Sequence, residues 1–288
     1  MKVNVFQKHR YLVLYLPALI LFSVFFLTPF VLMIRMSFFI GKPLHCYIEG
    51  FTIENYLRFL RDFYVHTRLM FTLQLSAPVI FLTLVLAYIM AYAISRSSGI
   101  KRLILICVTI FPIWINLVVI AFSWQVIFAR YGLINFFLTN LGIIDEPTPL
   151  GYNFLSVVIG LVHVCLPYTI LTLLSVLDNI DPTLEEAAKD LGATKFKIFV
   201  EVTLPMSMPG IITGAAFCFV WTMSSFVIPS FLGSPLQKTI GIEIANQVLT
   251  ALNWPYGSVL SIVLLCITSS TLLISNILRE RTARWAKQ

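Results

Sequence analysis

The sequence has few charged residues. Only 11% of its 288 residues are Asp, Glu, Lys or Arg, whereas 59% are hydrophobic and the mean hydropathy is +0.91. Soluble domains carry about 25% charged residues, so this chain cannot cover a globule with a solvated surface. The shortage of charge therefore excludes an ordinary soluble protein and indicates a chain that lies mostly in a membrane.

Several functional signatures are also missing. The sequence has no Gly-x-x-x-x-Gly-Lys-Ser/Thr loop of the kind that binds nucleotide phosphates. Its predicted membrane segments contain no paired carboxylates, zinc-ligand spacing or serine–histidine arrangement, which argues against an intramembrane enzyme. Of five cysteines only Cys46 lies outside those segments, so we expect packing cysteines and no disulfide framework.

What the chain does contain is six long uncharged runs. A helix needs about 20 apolar residues to cross a bilayer, so each run can hold one span. The runs are Tyr11–Ile34, Leu69–Ser95, Leu103–Ala129, Pro147–Leu177, Val202–Gln237 and Ile244–Leu278. The first is too long for a signal peptide and no cleavage pattern follows it, so we expect it to be retained. The predicted fold class is an all-α membrane protein with six transmembrane helices.

The distribution of Lys and Arg predicts the orientation of these helices. With the N-terminus inside, the cytoplasmic set is Lys2, Lys8, Arg10, Arg96, Lys101, Arg102, Lys189, Lys195, Lys197, Arg279, Arg281, Arg284 and Lys287. The smaller outer set is Lys42, Arg58, Arg61, Arg68, Arg130 and Lys238, with Arg35 near the outer end of the first helix. Both termini are then cytoplasmic. The net charge of +7 reflects this topology and does not indicate a nucleic-acid partner.

The apolar patterns also predict where individual helices lie. Four spans are expected at about Met70–Ile94, Asn153–Leu177, Ile211–Leu232 and Ser258–Leu278. In the third span, Phe111–Asn116 combines a proline with a polar amide, which predicts a kinked helix facing protein or a cavity. Gly210 and Gly214 have the spacing that lets two membrane helices approach closely.

Aromatic and polar side chains in or beside the spans are candidates for lining a transport path. They are Trp114, Asn116, Trp124, Tyr168, Trp221 and Ser224. Aromatic faces attract cations, although aromatic residues are also common at membrane interfaces. His163 is a lone histidine inside the fourth span, with no carboxylate or metal-ligand partner in the spans. We interpret it as a hydrogen-bonded packing residue.

One charge-rich stretch, Asp181–Pro205, interrupts the apolar pattern between the fourth and fifth spans. Asp181 is a suitable N-cap with Pro182 at the first helical position, and Thr183 with Glu186 offers an alternative capping box. The predicted helix carries an apolar stripe of Leu184, Ala187, Ala188 and Leu191. Its other faces carry Glu185, Lys189 and Asp190.

The end of this helix is predicted as clearly as its start. Gly192 suits the left-handed position that ends a helix, and Thr194 can cap a second helix that Pro205 is expected to stop. The shallow apolar stripe fits a surface on which a partner docks. A well-capped connector that packs under the bundle is the alternative.

The same residues carry a family resemblance. The stretch resembles the EAA motif of the membrane subunits of binding-protein-dependent ABC importers, through Glu186-Ala187-Ala188, Gly192, Val202 (where isoleucine is usual), Leu204 and Pro205. Three further segments look like the spermidine/putrescine and opine-type branch of that family, namely Tyr131–Asn135, Leu204–Ile211 and Leu252–Gly257.

The resemblance implies a type I importer permease that works by alternating access in the bacterial inner membrane. It implies cytoplasmic ATP-binding cassette subunits, a second permease subunit (homologous or identical) and a periplasmic substrate-binding protein. Coupling to the ATPase would involve Leu184, Glu186, Ala187, Ala188, Leu191, Gly192 and Pro205. No cofactor is expected in this chain, because ATP and Mg would belong to the ATPase.

The implied domain arrangement has three parts. Residues 1–69 would form an N-terminal transmembrane helix with an outer interfacial segment, residues 70–278 the permease domain, and residues 279–288 a basic cytoplasmic tail. The cargo would be a small solute of polyamine or opine type, with a phosphonate or ferric complex still open. A self-sufficient secondary transporter or channel is the alternative, but such proteins usually place ionisable residues in their spans.

Overall fold

The computed structural model describes residues 15–42, 46–235 and 237–285, with side chains described as far as residue 282. Five basic residues used for the topology prediction lie outside the described side chains: Lys2, Lys8, Arg10, Arg284 and Lys287. The described ranges consist of helices, connecting segments and two isolated β-bridges.

The helices confirm the predicted fold class. In chain order they are Tyr15–Ser37 (α1), Glu54–Arg61 (α2), Phe63–Ser95 (α3), Gly99–Ile110 (α4), Leu117–Phe128 (α5), Leu133–Asn140 (α6), Phe154–Leu177 (α7), Pro182–Asp190 (α8), Lys195–Ser224 (α9), Val227–Leu232 (α10), Ile240–Ala245 (α11) and Trp254–Trp285 (α12). Six stretches are long and apolar enough to cross a membrane: α1, α3, Leu117–Asn140, α7, α9 and Trp254–Thr282.

The third predicted span is broken rather than kinked. After α4 the chain forms a 3₁₀ turn at Phe111–Trp114, and Ile115 is extended with ψ 132°. Asn116 then starts α5, because its side-chain oxygen accepts a hydrogen bond from the Val118 backbone N–H at 2.8 Å. The prediction of one kinked helix is therefore wrong, since Asn116 acts as a helix cap and not as a polar group inside a helix.

The fifth predicted span, Ile211–Leu232, is wrong at both ends. Helix α9 begins at Lys195 and ends at Ser224, where Ser225 is extended with ψ 130°. Pro205 does not stop the preceding helix, because it falls in the first turn after a π-helical turn at Phe199–Thr203. Proline is tolerated where a helix already departs from regular hydrogen bonding.

The chain forms two compact units, and the larger is built from Phe63–Glu243 and the C-terminal part of α12. Its centre is α7, which packs against α3 and α9 around the buried Leu161 and Cys165. A Cβ atom added to Gly214 would lie 2.9 Å from Cγ2 of Thr169. Glycine therefore allows α7 and α9 to approach this closely without a shift of Thr169, as its spacing predicts.

The smaller unit is built from α1, α2 and Ile244–Val263. The buried Asn55 donates hydrogen bonds to the backbone oxygens of Ser37 (3.0 Å) and Phe39 (2.8 Å). The Tyr256 hydroxyl donates to Asp62 at 2.9 Å, and Arg58 lies 4.0 Å from the Tyr256 ring centroid. Polar contacts therefore attach α2 to both of its neighbours in this unit.

Candidate functional site

Helix α8 has a strong N-terminal cap. The Asp181 carboxylate accepts a hydrogen bond from the Thr183 backbone N–H at 2.9 Å, and Pro182 occupies the first turn. Of the two predicted caps, the structure has the one at Asp181. Hydrogen bonds from Thr183, chiefly from its backbone N–H, hold the pKa of the Asp181 carboxyl below its usual value. The cap therefore stays charged at neutral pH.

The C-terminal end of α8 is a Schellman turn. Gly192 has φ +80°, its N–H donates to the Lys189 oxygen at 2.8 Å, and the Ala193 N–H donates to the Ala188 oxygen at 3.0 Å. The Thr194 side chain then caps the first turn of α9. The predicted helix–glycine–helix geometry is therefore present.

The predicted apolar stripe of α8 is uncovered. Leu184, Ala187 and Leu191 are exposed and Ala188 is half-buried. Leu191 alone is 89% exposed, and the neighbouring Glu186 is exposed as well. An apolar stripe left open on a short, well-capped helix is typical of an interaction surface. Among the predicted coupling residues, Pro205 is set apart, because it lies in α9.

The residue that α8 does bury is Glu185, which is 8% exposed. Its Oε1 accepts hydrogen bonds from the Arg96 guanidinium and from the Thr203 hydroxyl, the latter at 2.9 Å. The sequence pattern places Glu185 on a polar face with Lys189 and Asp190 and does not predict this role. No local signal predicts it, because Arg96 and Thr203 are 89 and 18 residues away along the chain.

Arg96 follows α3 directly and is held by this contact. Burial by itself lowers the pKa of Arg96, but the hydrogen bond and the negative charge of Glu185 outweigh burial and raise the pKa above its ordinary value. A second ion pair joins Arg102, near the start of α4, to Asp178 at the end of α7. One ion pair thus joins the end of α3 to α8, and the other joins the start of α4 to the end of α7.

A second candidate site is a cavity of about 200 Å³ between α7, α9 and the break that separates α4 from α5. Tyr168, Trp221 and His163 are among the residues that line it. The Tyr168 and Trp221 rings stack with their centroids 5.7 Å apart. Irregular backbone is tolerated in a membrane where it lines a cavity, which fits the position of the broken segment.

The other candidate path residues do not themselves line this cavity. Trp114 is 81% exposed, and Asn116 caps α5. Trp124 packs edge-on against His163 with centroids 5.9 Å apart, and the Ser224 hydroxyl bonds within its own helix. Within the described residues, no group of three or more His, Cys, Asp or Glu side chains could hold a metal ion.

Comparison with known proteins relates these features to a family. Residues 83–285 match the family described as binding-protein-dependent transport system inner membrane component. The spermidine/putrescine transport system permease protein PotB of Haemophilus influenzae is 32% identical over 262 residues, which cover 90% of this chain and 89% of that protein. PotB of Escherichia coli is 32% identical over 224 residues, which cover 78% of this chain and 81% of that protein.

Solved structures share the fold at lower identity. A bacterial ABC transporter involved in the import of the acidic polysaccharide alginate matches with a TM-score of 0.77 and 17% identity, covering 96% of this chain and 97% of that chain. An amino acid ABC transporter with histidines matches with a TM-score of 0.54 and 16% identity, covering 81% of this chain and 100% of that chain. The family match and the identity to PotB together show that the chain belongs to the binding-protein-dependent transport system inner membrane components, the permease subunits of ABC importers.

Proposed function

We propose that this chain is the permease half of an ATP-driven importer that passes a polyamine from a periplasmic binding protein to the cytoplasm by alternating access. Cytoplasmic ATP-binding cassette subunits would hold ATP and Mg, and a second permease subunit, homologous or identical, would complete the conduit. The cargo class is taken from relatives named for spermidine and putrescine. An opine-like cargo is the alternative.

The observation that carries this proposal is the uncovered stripe of α8. One side of the helix contacts its own bundle through Glu185, while Leu184, Ala187 and Leu191 are exposed. A partner that buried this stripe would gain about 25 cal/mol for each Å² of apolar surface removed from water. We assign the stripe to the ATPase, and α8 to the coupling helix that transmits its movement.

A crosslinking experiment tests the partner. A photoreactive amino acid at Leu191 should crosslink this chain to the co-expressed ATPase, and Leu191→Asp should abolish stimulation of ATP hydrolysis by the binding protein. Leu141→Asp is the matched control, because Leu141 is also apolar and 71% exposed. Absence of the crosslink, with stimulation equal in both aspartate variants, would contradict the assignment of α8.

The stacked Tyr168–Trp221 pair favours a cationic cargo. An amine positioned over an aromatic face gains about 0.5–2 kcal/mol, and two stacked rings offer such a face beside a cavity. Calorimetric titration of the cognate periplasmic protein with spermidine, putrescine and an opine identifies the cargo. Micromolar binding of spermidine or putrescine would support a polyamine cargo. Binding of the opine alone would contradict the polyamine proposal and favour an opine-like cargo.

A further inference from the structure

Glu185 joins α8 to two membrane helices. It is the one buried residue of α8, and it contacts Arg96, directly after α3, and Thr203, in the π-helical turn of α9. We call these three residues the clasp. Because the two partners of Glu185 come from different helices, a single side chain ties α8 to both of them.

Aromatic contacts brace the clasp. The Arg96 guanidinium lies 5.1 Å from the Tyr92 ring centroid. Phe199 packs edge-on against Tyr92 at 5.8 Å and against Tyr88 at 5.7 Å, and the Tyr88 and Ser207 hydroxyls are 2.9 Å apart. The end of α3 and the first part of α9 are thus fixed to each other, so a force on Glu185 acts on both.

The chemistry of the clasp differs from that of an ordinary helix anchor. A buried carboxylate is costly unless hydrogen bonds compensate for its lost hydration, and an apolar side chain at this position would hold α8 without that cost. A charge-assisted hydrogen bond, in contrast, fixes direction as well as distance. Since Asp181 and Gly192 already secure the two ends of α8, the clasp is not needed to form the helix.

We infer that Glu185 is the positioning residue through which movement of α8 reaches α3 and α9. The inference rests on the proposed function, because it requires the ATPase to contact the exposed side of α8. When the ATPase displaces α8, the clasp passes the displacement to both spans and prevents α8 from sliding across the bundle. Without the clasp, the ATPase still assembles and hydrolyses ATP, but the bundle no longer responds fully.

The test uses the complete transporter in nanodiscs and measures the ratio of ATP hydrolysis with and without the binding protein. Glu185→Gln removes the charge while keeping the shape, and Thr203→Val removes the hydroxyl while keeping the volume. Each should lower the ratio about tenfold, a size typical of coupling between sites. Thr203→Ser keeps a hydroxyl donor at this position, so its ratio should be close to that of the transporter without substitutions.

A matched control separates the clasp from a general effect of charge. Glu201→Gln makes the same charge change at an exposed residue of α9 that pairs with Lys197 at 3.9 Å, and it should leave the ratio unchanged. Combining Glu185→Gln with Arg96→Gln should lower the ratio no further than one substitution does, because both break the same contact.

The remaining outcomes are decisive as well. An unchanged ratio in Glu185→Gln and Thr203→Val, with the Leu191 crosslink to the ATPase intact, would overturn the inference and leave the proposed function standing. Loss of ATPase co-purification in both variants would also overturn it, since the clasp would then serve assembly. If the Leu191 crosslink to the ATPase failed in a chain with the native clasp, that result would instead reject the proposed function.

Discussion

Gly192 has a left-handed backbone because α8 ends and the chain turns within two residues. Its φ is +80°, and a Cβ atom added there would meet nothing within 4 Å. The position is therefore limited by backbone conformation and not by space. A left-handed conformation costs a residue with a side chain about 1–2 kcal/mol, and this cost is smaller for Asn than for a β-branched residue.

This difference gives a prediction. Gly192→Val should unravel the last turn of α8 and strongly reduce stimulation of ATP hydrolysis, whereas Gly192→Asn should retain most of it. The measurement is the stimulated rate in the assembled complex, with membrane insertion checked by the yield of purified chain. Equal losses in both variants would mean that any side chain at this position blocks the partner, which would contradict the conformational explanation.

Two of the candidate path residues, Trp221 and Trp114, differ in their surroundings. Trp221 lines the cavity and stacks on Tyr168, whereas Trp114 is largely exposed. Trp221→Ala should raise the KM for spermidine uptake about fivefold, the effect of losing about 1 kcal/mol of cation–π attraction. Trp114→Ala should change the KM for spermidine uptake less.

Uptake of radiolabelled spermidine into proteoliposomes measures both variants, and ATPase co-purification shows whether the complex is intact. A larger effect of Trp114→Ala would move the path from the cavity to the exposed ring.

Residue patterns predict local structure well here and fail for distant contacts. The cap at Asp181 and the turn at Gly192 depend on hydrogen bonds within six residues, so the sequence contains the whole signal. Glu185 has the same local context as a solvated glutamate. Its burial depends on Arg96 and Thr203, which come from other parts of the chain, and no single sequence shows those contacts.

At the scale of elements, α7 and α9 pack closely because glycine faces the contact. A Cβ atom at Gly214 would lie 2.9 Å from Cγ2 of Thr169, so either that methyl group or one of the helices would have to shift. Gly214→Val should therefore destabilise the larger unit by about 1–3 kcal/mol, the usual cost of overpacking. Ala215→Val is the control on the adjacent, half-buried face of α9.

Thermal unfolding in detergent measures both variants. A lower Tm for Gly214→Val than for Ala215→Val is expected, and equal Tm values would show that the helices can separate without cost.

The ends of elements are where the sequence was least informative. Pro112 and Asn116 were expected to kink one helix, but the chain breaks at the extended Ile115. Pro205 resembles a stop signal, but the π-helical turn before it lets α9 continue. Such choices depend on whether neighbouring helices satisfy the freed backbone groups, which is a property of packing and not of the local sequence.

Across the chain as a whole, the positions of the charged residues predict six spans, because each long uncharged run can satisfy its backbone hydrogen bonds in lipid as a helix. The orientation rests on a different signal, the excess of Lys and Arg on one side. Arg96, Arg102 and α8 are assigned to that side, and the ion pairs of Arg96 and Arg102 lie at the helix ends that flank α8. These contacts show that Arg96, Arg102 and α8 lie on one side of the larger unit, and the cytoplasmic position of that side stays a prediction.

Labelling with a membrane-impermeant maleimide tests the orientation. In a chain whose five native cysteines are replaced and which is expressed without the ATPase, Leu141→Cys should react in intact spheroplasts, and Leu191→Cys only after the membrane is permeabilised. Both positions are exposed apolar residues, so accessibility within the fold does not distinguish them. The opposite pattern would place α8 outside the cell. The ATPase could then not reach the Leu191 stripe, and the proposed coupling and the clasp inference would both be rejected.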